Sequence, residues 1–358
     1  MAMAKKKVML GMSGGVDSSV AALLLVREGY DVTGVTLRLR PDAEMEESSA
    51  GGCCSLDDIS DARRVAHQLG IPHLVFNFTQ VFREKVMDYF AAEYLAGRTP
   101  NPCIACNRHV KFHAMLRRAQ ELGFDYVATG HYARIFRGES GRWLLQRART
   151  TKDQSYVLYS MSQYQLAHTL LPVAGYEKEQ IRALAREAGL PVAQKPDSQE
   201  ICFVPDKDYA GFIARYTGET PPPGEFVDEQ GRVLGRHRGI IHYTIGQRKG
   251  LGIAFGEPRY VTEIRPEENQ VVLGKEGAQY RSRLVAQDVN LISVDSLPGP
   301  TLCTVKVRYQ ATPSPACLTP LPDGRVQVEF ETPQRSVTPG QAVVFYEGDL
   351  VLGGGTIV

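Results

Sequence analysis

The sequence predicts an α/β protein: a parallel sheet covered by helices up to about Pro205, then a small central domain, then short strands forming a small barrel or sandwich. Three observations lead there. Strand-like apolar runs alternate with helix-period segments from residue 7 to residue 129. A turn containing Gly14 and Gly15 stands between the first strand and the first helix. After about Pro205 the text changes to short β-type runs separated by turn residues.

Residues 7–12 read as a short apolar strand and 16–28 as a helix stopped by Gly29. Residues 31–38 supply strand material through Val32, Val35 and Leu37, and 59–69 a helix ended by Gly70. A third strand at 73–78 precedes a long helical pattern at 81–96. A further helix at about 112–122 leads into a strand at 126–129. Such alternation implies a parallel sheet, whose ligands bind at the carboxyl ends of its strands. Beyond Pro205 come a short helix at 209–216, a Pro221-Pro222-Pro223-Gly224 turn and a hairpin signal at Asp228-Glu229-Gln230-Gly231. β-type runs follow at 261–264, 270–273, 302–308, 325–330 and 342–346.

The 358 residues, 43% hydrophobic and 23% charged, are ordinary for globular domains and exclude a mainly disordered chain. With 41 Lys and Arg against 40 Asp and Glu, any nucleic-acid binding must come from local patches. The longest apolar runs, such as 20–26, are too short to span a bilayer, so no membrane is expected. Lys5, Lys6 and Lys7 imitate the start of a secretory signal, but Ser13, Gly14, Gly15 and Asp17 interrupt the apolar stretch; a cytoplasmic location is expected. Seven cysteines in a long chain argue against a disulfide framework and for reduced, metal-bound or catalytic thiols.

Ser13-Gly14-Gly15-Val16-Asp17-Ser18 has the order that phosphate binding requires. Two glycines let the backbone approach an anion, and the helix behind them offers unpaired N–H groups and a positive dipole end. Ser18 and Ser19 can add hydroxyl donors, and Asp17 can hold Mg²⁺ or cap the helix. No Gly-Lys-Ser/Thr follows, which excludes a Walker A loop.

This loop is similar to that of the PP-loop ATP pyrophosphatases, which activate a carbonyl oxygen by adenylation. Further segments narrow the resemblance: Gly97-Arg98-Thr99-Pro100-Asn101-Pro102-Cys103-Ile104-Ala105-Cys106-Asn107, Ala128-Thr129-Gly130-His131-Tyr132, Lys152-Asp153-Gln154-Ser155-Tyr156, Asp197-Ser198-Gln199-Glu200-Ile201-Cys202-Phe203, Gly246-Gln247-Arg248-Lys249-Gly250-Leu251-Gly252 and Leu352-Gly353-Gly354-Gly355. In this order they resemble the tRNA-specific 2-thiouridylase (MnmA) family over essentially the whole chain.

The resemblance implies a PP-loop, adenine nucleotide alpha hydrolase-like catalytic domain at 1–205, a central tRNA-binding or linker domain at 206–268 and a C-terminal β-barrel at 269–358. It implies 2-thiolation of the wobble uridine of tRNA, with ATP and Mg²⁺ as cofactors and a sulfur-relay protein or sulfide source as donor. Gly11, Met12, Ser13, Gly14, Gly15, Val16, Asp17, Ser18, Leu37 and Gly130 would then bind the nucleotide. Asn101, Pro102, Cys103, His131, Lys152, Asp153, Gln154, Arg308, Tyr309 and Gln341 would contact tRNA at its anticodon loop. Cys106 corresponds to the nucleophile and Cys202 to the persulfide carrier, leaving a Cys106–Cys202 disulfide after turnover.

Some family members carry Asp where Cys103 stands. Cys103, Cys106 and Cys202 would also suit a [4Fe–4S] cluster with one open iron, a route that competes with the persulfide because an iron-bound cysteine is not a nucleophile. Cys303 and Cys317 read as packing residues in strands, and Cys53-Cys54 as incidental loop thiols. Arg236, Arg238, Arg248 and Lys249 form a local basic stripe suited to salt-dependent RNA binding. Two other functional classes stay open on the residues alone: a PP-loop ligase acting on a small molecule, and a non-enzymatic Fe–S or zinc RNA-binding module.

Overall fold

The structure, a computed structural model, describes residues 4–41, 56–197, 201–253 and 256–358. Cys53 and Cys54, and Ser198, Gln199 and Glu200, lie outside the described residues. The chain divides into two compact units, one of residues 1–87, 103–207 and 349–351, the other of 88–102, 208–348 and 352–358.

In chain order the elements of the first unit begin with β1 (Lys7–Gly11), α1 (Val16–Arg27), β2 (Asp31–Arg38), α2 (Leu56–Gln68), β3 (His73–Asn77) and α3 (Thr79–Phe82). A π-helical stretch, Arg83–Met87, runs on into α4 (Asp88–Leu95), which belongs to the second unit. Next come α5 (Pro102–Cys106), a second π-helical stretch at Asn107–Ala114, α6 (Met115–Glu121) and β4 (Tyr126–Ala128). A hairpin, β5 (Ala133–Arg137) and β6 (Trp143–Arg147), precedes α7 (Gln163–Ala167), β7 (Thr169–Leu170) and α8 (Lys178–Glu187).

Five strands form the parallel sheet in the order β3-β2-β1-β4-β7. The chain builds outward from β1 in one direction and then returns to the other side at β4. The crevice at the carboxyl ends of β1 and β4 is therefore the switch point where such sheets bind ligands. Val8 and Leu10 of β1 pack with Val20, Ala21 and Leu24 of α1, Ala62 and Val65 of α2, and Ile181 and Ala185 of α8. All of these but Leu24 are almost fully buried, so the strand that delivers the phosphate loop is held by close packing.

Two expected elements differ. The helical pattern at 81–96 starts earlier and contains a π-helical stretch, and the helix expected from about 112 already begins at Pro102. Proline suits the first helical position because its missing N–H is one the helix leaves unpaired there anyway. Pro100, Asn101 and Pro102 read as loop text in sequence, whereas Pro102 starts a helix. Cys106 consequently sits in a helix and not in a loop, and it is buried.

The second unit has α4 packed on α9 (Tyr209–Thr217), with Phe90 and Tyr94 against Tyr209 and Phe212. A four-stranded sheet follows, in the order β10-β11-β8-β9, from β8 (Gly224–Val227), β9 (Val233–His237), β10 (Tyr260–Arg265) and β11 (Gln270–Gly274). The last six strands are β12 (Tyr280–Leu291), β13 (Thr301–Lys306), β14 (Ser314–Pro320), β15 (Val326–Arg335), β16 (Ala342–Glu347) and β17 (Leu350–Ile357). Their order is β12-β15-β14-β13-β16-β17, and β17 pairs back with β12, so the arrangement is a closed barrel and not a sandwich. The closing glycines explain their place in the sequence. A Cβ on Gly353 would lie 2.3 Å from the Asn290 carbonyl oxygen, and one on Gly355 2.7 Å from that of Gln287. The strand β12 was not legible because Tyr280, Arg281, Ser282 and Arg283 are all exposed and show no buried face.

Candidate functional site

The phosphate loop follows β1 and enters α1 with Gly15 as an extended N-cap residue (φ −94°, ψ 166°) and no side-chain cap. Asp17 therefore does not cap the helix. The hydroxyls of Ser18 and Ser19 both donate to the Gly15 carbonyl oxygen, at 3.1 and 2.9 Å, and the Ser13 N–H donates to Ser18 Oγ at 3.2 Å. Those hydroxyl protons brace the loop, which leaves the first-turn N–H groups of α1 as its outward donors. Gly14 is left-handed (φ +72°) and lies directly on the Asp58 backbone. Gly130, just past β4, packs on the first turn of α1: a Cβ there would lie 2.7 Å from Ser18 N. Gly11 ends β1, Met12 donates its N–H to the Val35 carbonyl oxygen at 2.8 Å, and Leu37 lies near the carboxyl end of β2.

The carboxylate of Asp17 is held by Lys178, which no motif had flagged, and by Tyr132, the last residue of the motif at 128–132. Lys178 Nζ donates to both its oxygens, at 2.7 and 2.8 Å, and the Tyr132 hydroxyl donates to Oδ1 at 2.6 Å. Lys178 also pairs with Asp197 at 2.7 Å, and Asp197 takes Lys152 and Arg182, each at 3.3 Å. Burial works to raise the Asp197 carboxyl, but the bond and charge of Lys178 overrule it and hold the group below its ordinary value. Burial, aided by Asp17, pushes the Tyr132 phenol far up, so it stays a neutral donor. Two residues before Asp197, Lys195 bridges Asp58 and Asp61 of α2 at 2.6 Å each. The residues leading towards Cys202 are thus moored to α2, α8 and the phosphate loop. Lys178 and Lys195 carry no local signature in the sequence, since each looks like an ordinary surface lysine until the chain folds.

The remaining motifs of this unit interlock. Gln154 exchanges two hydrogen bonds with the Tyr132 backbone, at 2.7 and 2.9 Å. Asp153 accepts from Ala148 N, Ser155 N and Ser155 Oγ at 3.0–3.2 Å. Asn107, next to Cys106, donates from Nδ2 to the Val157 carbonyl oxygen at 3.0 Å. Asp153 and Gln154 therefore hold the fold of the segment, and Lys152 binds Asp197. His131 is buried, with Nδ1 2.7 Å from Thr129 Oγ1 and its ring beside Phe112.

Burial first, and the charge of Lys111 second, hold the His131 pKa well below 6.5. A group with a depressed folded pKa contributes stability that is complete above the unfolded value and is lost as pH falls towards the folded one. We expect the melting temperature to drop between pH 7.5 and 5.5, and His131→Gln to remove part of that drop. His73, His109, His237 and His242, also depressed by burial, contribute in the same direction. An unchanged pH profile in the variant would refute the assignment.

The thiols differ in environment: Cys103 is exposed, Cys106 buried, and Cys202 half-buried. Among the described residues no three His, Cys, Asp or Glu side chains are placed to hold a metal ion. Cys103, Cys106 and Cys202 are thus not gathered into the ligand set that a [4Fe–4S] cluster requires. Cys303 and Cys317 lie on paired strands, and burial, then Cys317, push the Cys303 thiol up to about 12, as befits packing residues.

In the second unit, Arg308 and Tyr309 are exposed beyond the end of β13, with Lys306 Nζ 5.8 Å from the Tyr309 ring centre. Gln341 donates from Nε2 to the Thr99 carbonyl oxygen at 2.9 Å, and Thr99 N–H donates to the Pro339 carbonyl oxygen at 2.9 Å. The barrel turn thereby grips the residues before Asn101 and Pro102. Arg236, Arg238, Arg248 and Lys249 are all exposed.

Three family models match in succession: tRNA methyl transferase HUP domain at residues 6–206, tRNA methyl transferase PRC-barrel domain at 210–275, and aminomethyltransferase beta-barrel domain at 281–357. The tRNA-specific 2-thiouridylase MnmA of Acetivibrio thermocellus is 56% identical over 358 residues, covering 99% of this chain and 100% of that protein. The protein of the same name from Lachnoclostridium phytofermentans is 56% identical over 357 residues, with 99% of each covered, and that from Clostridioides difficile is 54% identical over 354, with 98% of each covered. Full-length identity of this order is more specific than the domain descriptions. With the phosphate loop, the cysteines and the barrel all in the aligned length, the chain belongs to the tRNA-specific 2-thiouridylase MnmA family.

Proposed function

We propose that this chain uses ATP to replace the C2 oxygen of the wobble uridine of tRNA by sulfur. The observation that supports this best is the union, in one unit, of an uncapped phosphate loop with the Asp17–Lys178–Asp197 chain of ion pairs, since Asp197 opens the stretch that bears Cys202. The uridine O2 attacks the α-phosphorus of ATP and pyrophosphate leaves, which turns a poor leaving group into AMP. The terminal sulfur of a Cys202 persulfide then bonds to C2. The Cys106 thiolate attacks the inner sulfur, forms the Cys106–Cys202 disulfide and releases the terminal sulfur to the base. AMP departs with the original oxygen, and an external thiol reduces the disulfide.

Asp17 would be the carboxylate that meets a phosphate-bound Mg²⁺, an ion that keeps mostly water and phosphate ligands. That ion would add charge neutralisation at the leaving pyrophosphate. The cluster route is not adopted, because the three cysteines are not assembled for it. Persulfide sulfur would come from a relay protein in the cytoplasm that carries it as a cysteine persulfide, already at the oxidation level that Cys202 receives. A single-stranded anticodon loop suits the reaction because its bases flip out at low cost. Arg236, Arg238, Arg248 and Lys249 would add salt-dependent contacts to its backbone. Residues 1–205, 206–268 and 269–358 would serve as catalytic, central and barrel domains.

The test is pyrophosphate release and 2-thiouridine formation with unmodified tRNA and a protein persulfide as sulfur donor. Cys202→Ser is expected to keep tRNA-stimulated pyrophosphate release and to lose thiolation. Wild-type protein that consumes no ATP in response to tRNA would instead point to a small-molecule ligase.

A further inference from the structure

Lys178 Nζ lies 2.7 and 2.8 Å from the two carboxylate oxygens of Asp17 and 2.7 Å from Asp197, so its one positive charge is already shared by two carboxylates. Its side chain is only 9% exposed, so water does not readily replace a lost partner. Three cations, Lys152, Lys178 and Arg182, meet on the carboxylate of Asp197, and among the described residues these ion pairs involve two carboxylates, Asp17 and Asp197. The surplus positive charge stands beside the uncapped N-terminus of α1, where phosphate is expected.

Resting on the function proposed above, we infer that Asp197 is an internal counter-anion of the nucleotide site, competing with the phosphates of a nucleoside triphosphate for Lys178. A phosphate reaching the α1 N-terminus finds Lys178 already paired with two carboxylates, so it gains the ammonium at the expense of one of them. Displacing Asp197 costs less than displacing Asp17. Asp197 keeps Lys152 and Arg182 as partners, and Lys195 still ties the neighbouring backbone to Asp58 and Asp61. Nucleotide binding therefore loosens Asp197 from Lys178 while the chain stays moored two residues upstream. Asp197 is thus a positioning residue, which links occupancy of the phosphate loop to the stretch that leads to Cys202, five residues further on.

The competition predicts opposite movements of two constants. In Asp197→Asn, the affinity for magnesium α,β-methylene-ATP, measured by calorimetry without tRNA, should tighten about threefold or more. In turnover, the KM for ATP should fall together with kcat, because the nucleotide no longer has a rival but the link is lost. A merely structural role would weaken nucleotide binding or leave it unchanged, and either result overturns the inference. If the variant does not fold, wild-type protein answers by hydrogen exchange. Adding the analogue should speed exchange in peptides spanning Lys195 and Asp197, and unchanged or slowed exchange there overturns the inference. Failure of the wild type to bind the analogue at all would sink the functional reading itself.

Discussion

Gly14→Ala is expected to abolish tRNA-dependent pyrophosphate release and to destabilise the protein by about 3 kcal/mol, the sum of a left-handed alanine and an overpacked contact. The position is constrained twice. Its φ of +72° disfavours any side chain, and a Cβ would stand 2.4 Å from the Asp58 carbonyl oxygen and 2.7 Å from its Cα. Those are backbone atoms, so no rotamer change relieves the clash. Asp58 is itself buried and bound to Lys195, so moving it disturbs the mooring of the chain towards Cys202. Gly15→Ala is the control. That residue has φ −94°, and its Cβ would meet only Ser13 Oγ at 3.5 Å. Melting temperature and nucleotide affinity should separate the two variants clearly; equal, near-native values would show that the loop does not depend on the Gly14 contact.

Lys178→Met keeps the length of the side chain and removes the charge that two carboxylates share. Breaking a buried pair on one side typically costs about 3–5 kcal/mol. Asp17 and Asp197 are 31% and 26% exposed, which places the expectation at the lower end, about 3 kcal/mol. The sign of its pH dependence follows from Asp197. With a folded pKa held below the ordinary 3.8, that carboxylate contributes stability above this value and loses it as pH falls further. The gap between wild type and Lys178→Met should therefore be full at pH 7 and shrink below about pH 4. Adding Asp197→Asn to Lys178→Met should cost less than the sum of the two single changes, because the partners act as a unit. Strict additivity in denaturant melts would show that the pair is not coupled.

Much of the nucleotide half was legible because its signals are local. The alternation of apolar runs set the order of strands and helices, with β2 matching its expected limits and β1, α1 and β3 each differing by one residue. Gly14 and Gly15 announced a backbone able to approach an anion; the close contact of left-handed Gly14 with the Asp58 backbone is a second constraint that the sequence did not show. What failed to show was either unpatterned or misleading. Prolines and asparagines around residue 101 read as loop, yet Pro102 starts the helix that buries Cys106. Strand β12 lacked a buried face over its first residues, and the three glycines near the C-terminus gave no sign that they close a barrel.

The sequence by itself determined that a glycine turn of the kind that suits an anion follows a parallel strand, that the chain ends in β structure, and which cysteines stand outside strand text. These depend on neighbours along the chain and on residue type. Only the tertiary structure decided the electrostatics of the site. Lys178 lies 161 positions from Asp17, Lys195 lies 137 from Asp58, and Tyr132 lies 115 from Asp17. A lysine and an aspartate so far apart are two solvated charges in the text. They become half-buried ion pairs around the phosphate loop when the packing of α1, α2 and α8 on the sheet brings them together.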